Sequence, residues 1–518
     1  SGDISSSAQL QFDHPVISNN NGFILVTAKA YDLPSGDILV PTDFGTIQLA
    51  LDIIPSSVEK TVVVEPGEYF ENIMLRRIRN VIVRSQSGPL QTIINGGGSD
   101  IVINSDHESR ASSVTFDGFT ITGGVDGAID VYHTDHNITL KNLIIRENQG
   151  QIVTVNPNNT TLENVVIADN YKSPENVNIN TARALSIIGG TSFEGGDTTK
   201  IINCTIANNE NLVGAGLQVQ GETINTVFLN TVIWGNANNM VIHSDGAPWI
   251  HFDNCMIFDS SSIYHPNNNG TINWGTGNID QYPYFNDPEN GDYSLSNYSP
   301  LIGTGSVYTS LENNAWILAP GSDVLGNERP SPYGSNPDIG AYENSSSEML
   351  YNPNKYVSVN GNNGNLGIIT DPWRDIQYAL DLAIAGDIIH IGAGQYDENI
   401  VLTQENLTIL GESRETTIIN GNQNGTVVTI LSGRNGATVK NLTIKNGTGR
   451  DALYGVSGGG IYVESVSTLD NLIVEENTAS NRGGGIYFEG ASENSVLTNS
   501  IIRNNTSESG AGLSIQNG

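Results

Sequence analysis

The chain has 518 residues, more than one compact core fills, because single cores stop growing near ~250–300 residues; two large units or a solenoid remain. Its net charge of −33, from 55 acidic against 22 basic residues, excludes nucleic-acid recognition, which needs clustered Lys and Arg, and argues against anionic membrane surfaces. The sequence holds no run of ~20 apolar residues that could span a bilayer. Only 15% of residues are charged and 57 are glycine, yet short Val/Ile/Leu runs recur throughout. That speaks for many short strands joined by tight turns rather than for disorder.

Residues 1–42 mix alternating and continuous apolar stretches, such as Phe23-Ile24-Leu25-Val26-Thr27-Ala28. They read as an N-terminal β segment or cap, or as the tail of an upstream domain. A secreted protein would already have lost its leader. A short amphipathic helix is predicted over Thr46–Asp52, followed by Val62-Val63-Val64-Glu65-Pro66-Gly67-Glu68-Tyr69-Phe70-Glu71-Asn72-Ile73 and then Thr92-Ile93-Ile94-Asn95-Gly96.

Beyond this opening one pattern repeats: alternating apolar residues, an Asn, then three residues ending in Ile or Val. It occurs at Asn142, Asn164, Asn203, Asn230 and Asn254, and resumes at Asn441, Asn471 and Asn499, mostly at intervals in the twenties. One such coil cannot bury its own apolar face. Stacked coils bury a continuous core and pair each strand with its counterparts above and below. The Asn suits a turn, because it tolerates left-handed backbone and can bond the Asn of the next coil. Glycine pairs such as Gly459-Gly460 and Gly484-Gly485 follow within the period and serve turns. Several sequons, Asn441-Leu442-Thr443 among them, coincide with the repeat Asn, so the ladder accounts for them better than glycosylation does.

The two cysteines, Cys204 and Cys255, fill one position of the repeat with the Thr231 copy between them. Two coils at ~4.8 Å each exceed the ~7 Å reach of a disulfide, so both are expected to be free, buried and inert.

After a break the opening returns: Asp375-Ile376-Gln377-Tyr378-Ala379-Leu380-Asp381, then Gly394-Gln395-Tyr396-Asp397-Glu398-Asn399-Ile400, then Thr417-Ile418-Ile419-Asn420-Gly421. The expected organisation is residues 1–42 as above, a first β-helix over 43–343 with a closing segment at 284–343, a linker at 344–354, and a second β-helix over 355–518. The second stops in mid-repeat, from which a longer chain is expected.

The doubled opening resembles the start of right-handed parallel β-helix proteins of the pectate-lyase-like superfamily, in which the short helix caps the solenoid. The stretch Asp292-Tyr293-Ser294-Leu295 to Ser299-Pro300-Leu301-Ile302-Gly303, ending in Asp338-Ile339-Gly340-Ala341-Tyr342-Glu343, is similar to the closing region of bacterial choice-of-anchor Q surface domains. These resemblances imply an all-β fold of two tandem right-handed β-helices, an extracellular or cell-surface setting and a polysaccharide partner. They leave activity open, because function resides in sites rather than folds. The Gln-Asp-Thr, Asp-Phe-Ile-Phe-Gly and Gly-Arg-Pro-Trp motifs of pectinesterases of this fold are missing, as is the Asn-Thr-Asp of polygalacturonases.

Alternation places Tyr462 and Glu464 outward beside Tyr487 and Glu489 one coil on, followed by Ser514 and Gln516. Carboxylates about 4.8 Å apart repel unless they share a cation or proton, so Glu464 and Glu489 are candidate calcium ligands. Flat aromatics beside them suit a glycan, and the plainer reading is a solvated β face. In the first unit Asp130, Tyr132, Gln218 and Gln220 are the corresponding candidates, and Asp130, His133, Asp135 and His136 cluster in one stretch. Lys440, Lys445, Arg450 and Arg482 are the candidate lyase bases, each more simply read as a surface charge. Gly455-Val456-Ser457-Gly458-Gly459 has the letters of a nucleophile elbow without the following helix that the motif needs. Three functions are expected in order: polysaccharide binding or adhesion, calcium-assisted polysaccharide lyase, and structural stalk.

Overall fold

The computed structural model describes residues 9–516 apart from 13–27, 32, 77, 106–111, 133–136, 157–158, 172–182, 190–197, 210–215, 221–224, 237–239, 244–248, 258–262, 265–270, 311–315, 453–454 and 491–493. The chain divides into two compact units, one of residues 1–283 and 293–349, the other of 284–292 and 350–518.

The larger unit is a parallel β-helix of three sheets. The first has ten strands, running from Ile38–Val40 and Lys60–Val64 to Trp249–Asp253 and Thr271–Trp274. The second and third have eight strands each. Within each sheet the strands pair in parallel, each with its counterpart one coil away, for instance Thr115 with Thr139 and Leu140 with Leu162. The smaller unit repeats the plan with sheets of six, five and five strands. Among the described residues before the first β-helix strand, Gln9–Phe12 and Ala28–Tyr31 form an antiparallel pair. Residues 38–40 already belong to the first sheet.

Inward positions are Val, Ile, Leu and Phe. Val81, Val114, Ile138, Leu140 and Leu162 are all almost fully buried in one continuous cluster, each stabilising the coil by roughly 1.5–3 kcal/mol relative to exposure. Phe228 stacks on Phe252 at 4.6 Å, and Phe252 on Trp274 at 5.0 Å.

The repeat Asn works as anticipated. Asn203 and Asn441 have φ of 48° and 60°. Asn164 donates to Asn142 at 2.9 Å, Asn230 to Asn203 at 3.1 Å and Asn471 to Asn441 at 2.8 Å. A second, deeper ladder runs from Asn148 to Asn170, Asn209 and Asn236 at 3.1, 3.0 and 2.9 Å. Cys204 and Cys255 are free and buried with Thr231 between them, and burial pushes both thiols up to about 12.

The repeated opening has a physical reason. The helix Ile47–Asp52 is capped by Glu71, which accepts from Ile47 N at 2.8 Å and Gln48 N at 2.9 Å. In the smaller unit Glu398 accepts from Ile376 N and Gln377 N at the same two distances. Free N–H groups at a helix start favour such a carboxylate. Gln48 and Gln377 in turn accept from Met74 N and Val401 N, both at 2.7 Å, which ties each helix to its own third sheet.

The linker reading of 344–354 is corrected at its start. Asn344 is clamped to the closing segment, its N–H donating to Asp338 at 2.6 Å and its amide to Leu295 O at 2.8 Å.

Candidate functional site: the outer faces of the coils

In the smaller unit the register brings Tyr462 opposite Tyr487, and Tyr487 opposite Ser514. The rings, however, are only 2% and 0% exposed, which corrects the expectation of an open aromatic platform. The Arg450 guanidinium covers Tyr462 at 4.8 Å from its centroid, and Tyr487 packs at 5.6 Å. Gly458, Gly483 and Gly510, with φ of 63°, 57° and 62°, fold the preceding turn back so closely that a Cβ would lie 2.9–3.1 Å from the Cβ of Tyr462, Tyr487 or Ser514. The covering depends on an insertion, the antiparallel hairpin Arg450–Ala452 with Gly455–Ser457, so the elbow-like letters there form part of that hairpin and not a strand-to-helix turn.

The Tyr462 hydroxyl bridges the two carboxylates, bonding Glu464 Oε1 at 3.1 Å and Glu489 Oε2. Burial, then these carboxylates, push its pKa well above the usual phenol range. Tyr487 bonds Gln516, which also accepts from Arg482 at 3.0 Å. Calcium takes 6–8 oxygens. Two carboxylates already sharing a phenol fall short of that, and among the described residues no three His, Cys, Asp or Glu group to hold a metal. Lys440 pairs with Asp470 at 3.1 Å, and Lys445 stands in register with Glu475.

In the larger unit Asp130 lies on an outward column of the third sheet, after Asn104 and in register with Thr154, Ser186 and then Gln218. Thr154, Ser186 and Gln218 are buried despite facing outward. Asp130 accepts from Tyr132 N at 3.0 Å, and Gln218 donates to Gln220 at 3.0 Å. Asp130 and Gln218 are thus three coils apart on one column and do not converge. His133, Asp135 and His136 lie outside the described residues.

The open surface lies elsewhere. On the first sheet of the larger unit a groove of about 610 Å³ crosses five successive strands, lined by Asp37, Thr61, Ile82, Thr115 and Thr139 among others. The last four form one outward column, continued by Thr161, Lys200, Val227, His251 and Asn273. Five strands at ~4.8 Å spacing make a track of about 19 Å. Its cations are held by neighbouring oxygens: Lys60 donates to Pro34 O and Gly36 O at 2.5 and 2.9 Å, and Arg84 pairs with Asp37 at 3.4 Å. The rest of the lining is hydroxyls, the amides of Asn80 and Asn137, the Glu59 carboxylate and one aliphatic side chain. Sequence reasoning passed over this column. The available signal was offset, since Thr139, Thr161, Lys200, Val227 and His251 each stand three residues before a repeat Asn.

The smaller unit has a cavity of about 540 Å³ on its own first sheet, lined by Tyr356, His390, Leu410 and Glu412 among others. His390 stacks on Tyr356 at 4.7 Å and bonds Asn354 at 2.9 Å. Burial lowers its pKa, so its ring is neutral at physiological pH.

No family model and no curated protein matches the chain. Among solved structures it is similar to a pectin methylesterase from carrot, at 11% identity over 48% of this chain and 86% of that one, with a TM-score of 0.31. It is also similar to the A-module of a mannuronan C-5 epimerase from Azotobacter vinelandii, at 14% identity over 93% and 99%, TM-score 0.30, and to a PL6 family alginate lyase, at 11% identity over 92% and 80%, TM-score 0.21. Scores this low leave function to the chain's own residues. No helix among the described residues is long and apolar enough to cross a membrane.

Proposed function

We propose that the protein is an extracellular, surface-displayed β-helix protein that binds polysaccharide along the outer face of the larger unit's first sheet. The observation that carries this reading is the groove from Asp37 to Thr139. It runs along the solenoid axis, offers a hydroxyl-bearing or aliphatic side chain at each coil from Thr61 to Thr139, and leaves its cations tied to neighbouring oxygens. A ligand that fills it is extended, polar and repetitive, which describes a glycan chain. Binding rather than cleavage fits the engagement of Lys440, Arg450 and Arg482, three of the four candidate bases, in contacts within the coils.

The test is affinity electrophoresis of the full chain through gels containing single polysaccharides, beside Thr115→Trp and Thr139→Lys. Both positions are half-buried and face outward, so these substitutions fill the groove rather than the core and should weaken retardation at least tenfold. Retardation unchanged in both variants sinks the groove. A calcium-dependent rise in ultraviolet absorbance on incubation with acidic polysaccharides would instead report β-elimination, and would replace binding with lyase chemistry.

A further inference from the structure

Farther along the same column, aromatic residues collect. In the closing segment the strands Tyr308–Ser310 and Trp316–Leu318 pair antiparallel, Tyr308 opposite Leu318 and Ser310 opposite Trp316. The inner positions, Thr309 and Ile317, are buried, and Ile317 packs on Ile202, Val227 and Leu229 of the first sheet, with Trp249 against the same cluster. The outer positions stay open: Trp316 is 61% exposed and Tyr308 46%, their rings 4.7 Å apart at 68°. Beside them Trp249 lies parallel to His251, at 3° and 5.5 Å. His251 is 9% exposed, and its Nδ1, itself closed off from solvent, has no hydrogen-bond partner among the described residues.

We propose that Tyr308, Trp316, Trp249 and His251 form a binding site for a neutral glycan, a second contact region on the track assigned above. The proposal deepens that reading and rests on it. Exposed Trp and Tyr offer apolar faces with polar tips, which match the C–H faces and hydroxyls of a sugar. The His251 ring, stacked parallel on Trp249, extends the same flat platform. Charge selects among glycans. Tyr308, Ser310, Trp316, Leu318 and Trp249 carry none. On the neighbouring outward positions Lys200 is bonded to Asn159 at 3.2 Å and Asp253 to Thr276 at 2.8 Å. One bonded lysine on a chain of net charge −33 does little to attract a polyanion, and an anionic bilayer is repelled for the same reason.

The experiment uses the full chain in gels containing hydroxyethylcellulose, glucomannan or arabinoxylan as neutral probes, and alginate or polygalacturonate as acidic ones. Retardation is expected in at least one neutral polymer. It should fall at least tenfold in Trp316→Ala, be largely kept in Trp316→Phe, and fall in His251→Ala. Trp316 is exposed, so its variants test the site without endangering the fold. Retardation by acidic polymers alone, or Trp316→Ala behaving as wild type, overturns the proposal. If Thr139→Lys abolishes binding while Trp316→Ala does not, the groove stands and this site falls. Retardation by no polymer sinks both.

Discussion

Arg329 and Glu343 meet at 2.8 Å with neither side chain exposed to solvent. Arg329 uses its other two nitrogens on Asn164 Oδ1 at 2.9 Å and Gly340 O at 3.0 Å, and Glu343 accepts from Ser331 N and Asp338 N. This pair holds the closing segment against the coils. Arg329→Met strands a buried carboxylate and should cost about 3–5 kcal/mol. Replacing both partners with apolar residues should cost less than either single change. Urea unfolding of the three variants, each beside wild type, measures the order.

Asp338 stands beside that pair and is fully buried. Burial, and next the Glu343 charge, push its carboxyl from 3.8 up to about 7. The folded state therefore keeps a proton that the unfolded chain releases near 3.8. The stabilisation is complete below that pH and is lost as pH rises through about 7. Between those limits unfolding free energy should fall with pH, by up to about 1.4 kcal/mol per unit from this one group. Asp338→Asn should flatten that slope, seen as the pH dependence of the difference between the two proteins.

Asn170 donates to Ile145 O, Ala168 O and Asn209, and accepts from Asn148. Asn170→Ala leaves several buried groups unsatisfied at ~1–3 kcal/mol each, so a loss of about 3 kcal/mol or more is expected. Hydrogen exchange should rise at Asn148 N, whose acceptor is Asn170 Oδ1 at 3.0 Å.

Cys204 and Cys255, with thiols pushed up to about 12, hold almost no thiolate at pH 8, and the thiolate is the reacting form. A thiol reagent should label neither in the folded protein and both in denaturant. Labelling that outpaces unfolding would contradict their burial.

What the sequence disclosed follows from repetition. The Asn and Gly positions recur because backbone geometry demands them, and the Ile-Gln and Glu-Asn-Ile signatures recur because each helix start needs the same carboxylate and amide. The registers of Tyr462 with Tyr487 and of Cys204 with Cys255 were countable for the same reason. Exposure was not. Tyr462 alternates outward and yet is covered, because the hairpin bearing Arg450 interrupts the repeat. The Thr61 to His251 column stayed hidden because a threonine or a valine at an outward position is ordinary in any strand. Nothing local in the sequence told Trp316 to face out while Ile317 faces in.

The amides left over on successive coils do more than join neighbours. Asn164 reaches Ser322 O, Asn203 reaches Asp338 O and Gly340 O, Asn230 reaches Ser306 O, and Asn254 reaches Thr304 O, all within 2.8–3.2 Å. The returning chain therefore reads the solenoid like a ruler, one graduation per coil. Deleting a coil between Asn164 and Asn254 would leave stacking intact yet slide this scale by one ~4.8 Å step against a segment whose own spacing is unchanged. The number of coils, free to drift in a simple repeat, is here held to a count.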